Sequence, residues 1–313
     1  MSAQQVGGQD QVHGMHAAWL ADGHRRHLQH GPIDLIISVD GSAAECRRAI
    51  DQAEARFAHI LDELVAELTL LRHPARHHPS VPETVSASVA QRMMTAVKAH
   101  AESCFVTPMA AVAGAVADEV LAALLAGRTL TRAAINNGGD IALWLAPGQV
   151  FTIGLAASPR QPTLIAHMQL SSAHKIGGVA SSGWDGRSHS LGIADMVTVL
   201  APSAAAADVA ATLIANAVDL PASAKIHRRP ACTLSPDSDL GDRPVTTAVE
   251  RLTKTERSIA LGGGQKLAES MLENGQIIAA GLVLQGQLAT VGGDFKHPQP
   301  LPQRRPLEVP SRT

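Results

Sequence analysis

Apolar residues recur at helical spacing over residues 50–71, the longest periodic stretch of the chain, and charged side chains occupy its other face. Ser42 precedes this stretch and has a side chain suited to cap a helix. We therefore predict a helix that starts at Ser42 and ends at the histidine- and proline-rich segment 73–79. Periodicity predicts further helices at 85–101, 109–126, 204–217 and 265–273.

Short alternating or β-branched runs predict strands, beginning with a hairpin of 24–30 and 33–39 around Gly31-Pro32. Other predicted strands are 133–135, 141–145, 150–155, 164–170, 196–200, 258–261, 277–284 and 288–291. Helices come early and strands cluster in the middle, which predicts an α+β fold. We expect one large domain with antiparallel-rich sheets packed against helices. It spans 19–295, between a flexible N-terminus (1–18) and a proline-rich, disordered tail (296–313).

The composition excludes several classes of function. The 313 residues are 45% hydrophobic but include only three Trp, four Phe and no Tyr. Grooves for single-stranded nucleic acid stack bases on aromatic rings, and a net charge of −2 gives no basic field for phosphodiester backbones or anionic lipid. We expect no nucleic-acid and no membrane partner. Three widely spaced cysteines and an N-terminus without an apolar leader predict a cytoplasmic protein.

Two short segments have residue types that bind ligands. The paired glycines in Asn-Asn-Gly-Gly-Asp (136–140) permit positive φ and a close approach of the backbone to a ligand, although spacing alone favours an ordinary hairpin turn. Asp208 and Thr212 lie four residues apart on a predicted helix, and their hard oxygens suit Mg²⁺. The commoner alternative is an Asp near a helix N-terminus and a Thr bonded to its own backbone.

Two further glycine-rich segments have weaker signals. Residues 177–190 predict a polar loop that either binds a ligand or simply connects a hairpin, and His189 in it is either a base or simply solvated. The glycines at 262–264 match neither nucleotide-binding pattern, and we predict a strand-to-helix turn there. Histidines cluster at 24–30 and 73–78, and both clusters predict a solvated surface.

The order of these segments along the chain resembles the ApbE superfamily of FAD- and magnesium-dependent flavin transferases. The matching segments are 111–118, 136–141, 181–183 with His189, 197–199 and 208–212. The phrase Phe-Val-Thr-Pro-Met-Ala-Ala-Val-Ala-Gly (105–114) and the Asn-Asn-Gly-Gly-Asp form are typical of an uncharacterised bacterial and archaeal branch. The resemblance covers roughly residues 20–292.

The resemblance implies that FAD, or a related nucleotide, lies in a cleft and that Mg²⁺ bridges its pyrophosphate. FMN then passes to a Thr or Ser of a target protein, and AMP leaves. The implied metal ligands are Asp208, Thr212 and the main-chain carbonyl of Val112, and His189 is the candidate catalytic residue. The implied cofactor-binding residues are Asn137, Gly138, Gly139, Asp140, Ser181, Ser182, Gly183 and Trp184.

The chain departs from the family pattern at three places. Ala113 and Ala115 stand where the family has Lys and Tyr, and residues 189–195 replace its His-Ile-x-Asp-Pro-x-Thr-Gly segment.

Three hypotheses about function follow. The first is a Mg²⁺-dependent enzyme that transfers FMN or cleaves FAD, with a nucleotide substrate and a possible protein acceptor. The second is a non-catalytic flavin- or nucleotide-binding protein. The third is an interaction subunit whose Ala-rich helices form a homo-oligomer interface.

Overall fold

The core of the fold is a ten-stranded antiparallel sheet. The computed structural model describes residues 10–12, 14–75, 85–158 and 163–296. The strands are β1 Asp10–Val12, β2 Met15–Trp19, β3 Arg25–His30, β4 Ile33–Gly41, β5 Leu130–Asn137, β6 Asp140–Leu145, β7 Val150–Ala156, β8 Leu164–Ser171, β9 Gly178–Ser182, β10 Met196–Ala201, β11 Ile226–Pro230, β12 Pro244–Val249, β13 Ala279–Leu284 and β14 Gln287–Val291. The large sheet has the order β1-β2-β3-β4-β5-β6-β9-β10-β13-β14, and β7–β8 and β11–β12 form separate pairs.

Helices cover one face of this sheet, and the β7–β8 pair covers part of the other. The helices are α1 Ala43–Ala66, α2 Leu68–Leu71, α3 Ser88–Lys98, α4 Val112–Leu125, α5 Ala204–Ala217, α6 Ala231–Leu234 and α7 Lys254–Glu273. Along β6 the side chains alternate, so that Ala142 packs into the helix-side core while Leu143 joins Ile153 and Met168 on the other side. The predicted α+β fold, with antiparallel sheets against helices, is confirmed.

The first predicted helix forms but is divided in two. The Ser42 hydroxyl caps α1 by accepting the Glu45 N–H at 3.3 Å, and Ile50, Phe57 and Ile60 are buried on its inner face. The helix ends at Ala66, and α2 follows as a separate turn. The predicted third helix begins as a 3₁₀ turn at Pro108–Ala111 before α4.

The Ala-rich helices α4 and α5 lie in the interior. The stretch Pro108–Leu125 is long and apolar enough to cross a membrane, with a mean hydropathy of 1.6. Its side chains pack against α1, α3 and α5, and Val116 and Val120 are fully buried. Packing in a core accounts for this apolar composition. The same burial removes the observation on which the interaction-subunit hypothesis rested.

The predicted strand 258–261 and the predicted turn at 262–264 are wrong. A single helix, α7, runs through all three glycines, and it begins with a capping box in which Thr253 and Glu256 bond to each other's backbone N–H. Gly264 is buried, and a Cβ there would lie 2.4 Å from Val218 Cγ2. The missing side chain therefore lets α7 pack closely on the end of α5 and on β13.

Alanine substitutions along this glycine run should have opposite effects. Gly262 has open space around it, so Gly262→Ala should stabilise the protein by about 0.5–1 kcal/mol through better helix propensity. Gly264→Ala should destabilise it by about 2 kcal/mol, because the new methyl group would overlap Val218 and Leu282. Urea unfolding of both variants measures the difference. Equal changes in unfolding free energy would contradict this assignment of the glycines.

Five strands lie where the sequence predicts none. β1 and β2 pair with each other in the range predicted as flexible, and that prediction is wrong for residues 15–18, since Met15 and Ala17 are buried. β9 replaces part of the predicted polar loop; its small residues give little apolar signal, and a Cβ on Gly178 would lie 2.2 Å from Ala204 N. β11 and β12 flank a long connection that includes α6.

The histidine clusters have different outcomes. The prediction of a solvated surface is wrong for His30, which is 8% exposed and packs edge-on against Phe57. His27 pairs with Asp34 at 3.1 Å. Of the second cluster, His77 and His78 lie outside the described residues, as does the predicted tail beyond Lys296.

Candidate functional site

Two aspartates from different elements face each other at the helix side of the sheet. Asp140 is the first residue of β6, directly after a two-residue turn in which Gly138 and Gly139 have φ of 65° and 118°. Asp208 lies in the second turn of α5. The hairpin turn favoured by the spacing is thus present, and it also delivers a carboxylate to the site.

Hydrogen bonds from the backbone hold both carboxylates. The Ser181 N–H donates to Asp140 Oδ1 at 3.2 Å, and the Gly114 N–H donates to Asp208 Oδ2 at 3.0 Å. Gly114 belongs to the first turn of α4, so the positive end of that helix lies at Asp208. Each acid is therefore fixed by a rigid element.

Both carboxyl groups are strongly perturbed. Burial raises the pKa of Asp140 to about 7, against the opposing influence of the Ser181 N–H and the Arg187 charge. Burial also raises the pKa of Asp208 well above its ordinary value, and the negative charge of Asp140 raises it further. Two acids that cannot both ionise easily without a counter-charge form a site that attracts a cation.

The position of α5 relative to α4 is set by close backbone contacts. The Asp118 carboxylate accepts the N–H groups of Ala204 and Ala205, at 3.0 and 2.9 Å, and so caps α5. A Cβ on Gly114 would lie 2.2 Å from the Ala204 carbonyl oxygen. Asn137 Nδ2 donates to the Ala113 carbonyl at 3.0 Å and ties the glycine turn to the same place.

A cleft opens over these two acids and over Thr212, one turn further along α5. A cavity of about 390 Å³ is lined by Asp140, Asp208, Thr212 and Val112. An adjoining cavity of about 520 Å³ includes the same three polar residues. Its wall also contains most of the predicted cofactor-binding residues, namely Gly138, Gly139, Ser181, Ser182 and Gly183.

Of the other predicted cofactor residues, Asn137 lines a third, adjoining cavity, whereas Trp184 lines none of the three. Its indole Nε1 donates to Asp195 Oδ1 at 3.2 Å, and its N–H donates to the Ala194 carbonyl. The indole ring is thus held by contacts within the connection between β9 and β10, and Trp184 is not among the residues that line these cavities.

The oxygen atoms in the cleft fit a hard divalent cation. Asp140 and Asp208 supply two carboxylates and Thr212 a hydroxyl, and Mg²⁺ takes few protein ligands and completes its shell with water and phosphate. In the part of the chain that the structure describes, no three His, Cys, Asp or Glu side chains form a ready-made metal cluster. The resemblance implied Asp208, Thr212 and the Val112 carbonyl as ligands, and the Asp140 carboxylate, which lines the same cavity, is a further candidate.

Arg187 lines the cleft beside the glycine turn. Its guanidinium packs against the glycine turn, where a Cβ on Gly138 would lie 2.8 Å from Nη2. It lines both cavities over the aspartates and a third, mostly aliphatic cavity of about 440 Å³. A planar cation in this position suits the oxygens of a phosphate. Sequence reasoning gave Arg187 no role.

The far wall of the cleft comes from the connection between β11 and β12. His189 Nε2 and Ser235 Oγ are 3.1 Å apart across the cavity wall. The Thr107 hydroxyl donates to Asp239, and the Arg243 guanidinium stacks 3.4 Å from the centre of the Phe105 ring. Sequence reasoning missed the connection between β11 and β12, because the residues of that connection belong to no recognisable motif.

Part of this chain is similar in sequence to known archaeal proteins. The chain is 41% identical over 132 residues to a UPF0280 protein of Methanothrix thermoacetophila, covering 40% of this chain and 52% of that protein. It is 39% identical over 130 residues to a UPF0280 protein of Methanothermobacter thermautotrophicus, covering 42% and 48%. The chain thus spans about half the length of the curated relatives it matches.

Solved structures and a family model give two further comparisons. The crystal structure of apo flavinyl transferase ApbE from Pseudomonas stutzeri matches with a TM-score of 0.42 and 16% identity over 91% of this chain and 95% of that chain. The ApbE protein of Thermotoga maritima matches with a TM-score of 0.37 and 16% identity over 80% and 76%. The family model described as "AbpE bacteria" matches residues 17–290. The resemblance found in the sequence is confirmed, and the chain belongs to this bacterial AbpE family, an ApbE-like branch.

Proposed function

We propose that this protein is a Mg²⁺-dependent enzyme that acts on the pyrophosphate of FAD or a related nucleotide. The observation that carries the proposal is the pair of carboxylates with raised pKa, Asp140 and Asp208, in a cleft that also contains Thr212 and Arg187. Either transfer of FMN to a hydroxyl or hydrolysis to FMN and AMP would use this arrangement. Membership of the ApbE-like family supports the choice of a flavin nucleotide.

Different side chains of the cleft would bind the cation and the phosphates. Asp140, Asp208 and Thr212 would hold the cation, with the Val112 carbonyl a further candidate ligand. Bound Mg²⁺ supplies positive charge that stabilises the developing charge on the phosphates and the leaving AMP. Arg187 would bind phosphate oxygens and orient the pyrophosphate. The backbone N–H groups of Ser181 and Gly114 keep both carboxylates in place during turnover.

The apolar part of the nucleotide has a place beside the pyrophosphate. The aliphatic cavity next to Arg187 is lined by Leu61, Leu64, Leu68, Met109 and Val112. We propose that the flavin ring packs against these side chains, since Trp184 does not line the cleft. Aliphatic packing would compensate for the Tyr that this chain replaces with Ala115.

Product analysis tests the proposal. Purified protein incubated with FAD and Mg²⁺ should release AMP, with FMN either free or attached to a hydroxyl, and EDTA should stop the release. Liquid chromatography quantifies both nucleotides. NAD⁺, which has the same pyrophosphate and AMP moiety, tests whether the flavin is required. No AMP from either dinucleotide at any Mg²⁺ concentration would refute the proposal.

A non-catalytic nucleotide-binding protein is the second candidate, because Ala113 replaces the Lys of the family motif. In that case FAD would raise the melting temperature in the presence of Mg²⁺ and would be recovered intact. The same incubation distinguishes the two functions.

A further inference from the structure

We propose that Ser235 of this chain is itself an acceptor, so that the protein attaches the FMN moiety of FAD to its own Ser235 hydroxyl. The proposal rests on the function proposed above and names the group that receives the phosphoryl moiety. It begins from the pairing of His189 Nε2 with Ser235 Oγ at 3.1 Å, a contact to which the proposed metal site assigns no role.

The hydroxyl and the carboxylate pair lie on the same cavity. Ser235 and His189 line the 390 Å³ cavity together with Asp140, Asp208 and Arg187. A pyrophosphate held by the aspartates and Arg187 would therefore lie in the same cleft as Ser235. Proximity of this kind turns a reaction between two molecules into a reaction within one complex.

Ser235 is also distinguished from the other hydroxyls of that wall. The Thr107 hydroxyl donates to Asp239, and the Ser238 oxygen accepts the Leu240 N–H. The Ser235 hydroxyl is instead paired with an imidazole, which is the group that most often serves as a general base. Among the described residues of this wall, it is the hydroxyl that this contact prepares for attack.

The segment that contains Ser235 is held firmly. Its own N–H donates to the Ala231 carbonyl at 2.9 Å, directly after α6. The Cys232 N–H donates to the Gly241 carbonyl at 2.8 Å, and Arg243 and Asp239 anchor the other side of the loop on Phe105 and Thr107. A nucleophile on such a loop keeps a defined direction towards the cavity.

The step is a balanced phosphoryl transfer. In the tautomer with its proton on Nδ1, His189 accepts the hydroxyl proton of Ser235 on Nε2. Ser235 Oγ forms a bond to the phosphorus on the FMN side of the pyrophosphate. The bond from that phosphorus to the bridging oxygen breaks, and AMP leaves with the oxygen. The product is a phosphodiester between FMN and Ser235, and no oxidant or reductant is needed.

Intact-mass spectrometry of the full chain tests the proposal. After incubation with FAD and Mg²⁺, the wild type should gain the mass of one FMN less one water, on the peptide that contains Ser235. Ser235→Ala should lose this adduct, and Ser235→Thr should retain it at a lower rate. Thr233→Ala is the matched control, because it removes an exposed hydroxyl two residues away that donates to the Pro230 carbonyl, and it should keep the adduct.

His189 has a separate readout. His189→Gln should slow adduct formation at least tenfold while leaving the melting temperature and the Mg²⁺-induced thermal shift unchanged. An adduct on any other residue would overturn the proposal, as would full labelling of Ser235→Ala. Mg²⁺-dependent release of AMP without an adduct would also overturn it and would leave the proposed function intact. Absence of both AMP and adduct would refute the proposed function as well.

Discussion

Asp208→Asn should reduce Mg²⁺-dependent cleavage of FAD by a factor on the order of 10³ or more, since it removes charge at the point where the cation must bind. The amide keeps an oxygen that can accept the Gly114 N–H, so the local fold should survive. AMP release in the wild type and the variant measures the effect. Asp51→Asn, on the exposed face of α1, is the matched control and should have full activity.

The same variant should make the metal-free protein more stable. Burial raises the pKa of both carboxyls in the folded chain, and the charge of Asp140 raises that of Asp208 further. A raised carboxyl pKa means that the folded state loses stability as pH rises from about 4 to about 7. In EDTA above pH 7, Asp208→Asn should therefore raise the free energy of unfolding by about 1 kcal/mol or more, roughly 2 °C or more in melting temperature. The gain should fade towards pH 5.

A melting temperature that falls in EDTA would contradict this account of the pair. It would mean that Asp208 is a structural cap whose charge the fold requires. Mg²⁺ should raise the melting temperature of the wild type and leave that of the variant unchanged, and this separates loss of metal binding from loss of structure.

Gly114→Ala should destabilise the protein by about 3 kcal/mol or more. The new Cβ would lie 2.2 Å from the Ala204 carbonyl oxygen and 2.7 Å from the Ala205 nitrogen, and neither atom can rotate away because both belong to the backbone of α5. The melting temperature should fall by roughly 6–12 °C. Because α4 must move away from α5, the Gly114 N–H also leaves Asp208, and Mg²⁺-dependent activity should fall with stability.

Gly262→Ala is the control for this substitution. It places the same methyl group on a helical glycine that has open space around it. A Gly114→Ala protein that melts at the wild-type temperature would show that α4 and α5 can separate without strain. The close contact would then have no part in fixing the site.

The sequence was sufficient for the elements whose signals are local. The strands β3, β4, β7 and β8 and the helix α1 follow from periodicity, because the burial of their side chains alternates with the period of the element. The interior helix α5 follows from its run of small apolar residues. The alternation fails for β9, whose Gly and Ala residues are selected by contact with α5 rather than by burial of large side chains. The prediction for the glycines of α7 failed for the same reason. The sequence alone does not distinguish a glycine that allows close packing against a neighbouring element from a glycine that allows a turn.

The site was predictable in part. The order of the motifs grouped Asp208, Thr212 and the glycine turn, and the fold brings all three to one cleft. The resemblance implied that Asp140 binds the nucleotide and did not include it among the metal ligands. Asp140 and Asp208 are 68 residues apart in the sequence, and no sequence pattern shows that the turn directs Asp140 towards the helix that contains Asp208. Arg187 and Ser235 lie in irregular segments, and their contact with the cleft depends on long-range packing that periodicity does not describe.

The turn at Gly138 and Gly139 determines which insertions this hairpin can accept. Asp140 shares a face with Ala142, which packs towards α5, while Leu143 faces the β7–β8 pair. One extra residue in the turn would shift the pairing of β6 by one position and send the Asp140 carboxylate through to the opposite side of the sheet. Natural variants of this protein should therefore change in length at surface connections such as 146–149, and keep the length of this turn constant.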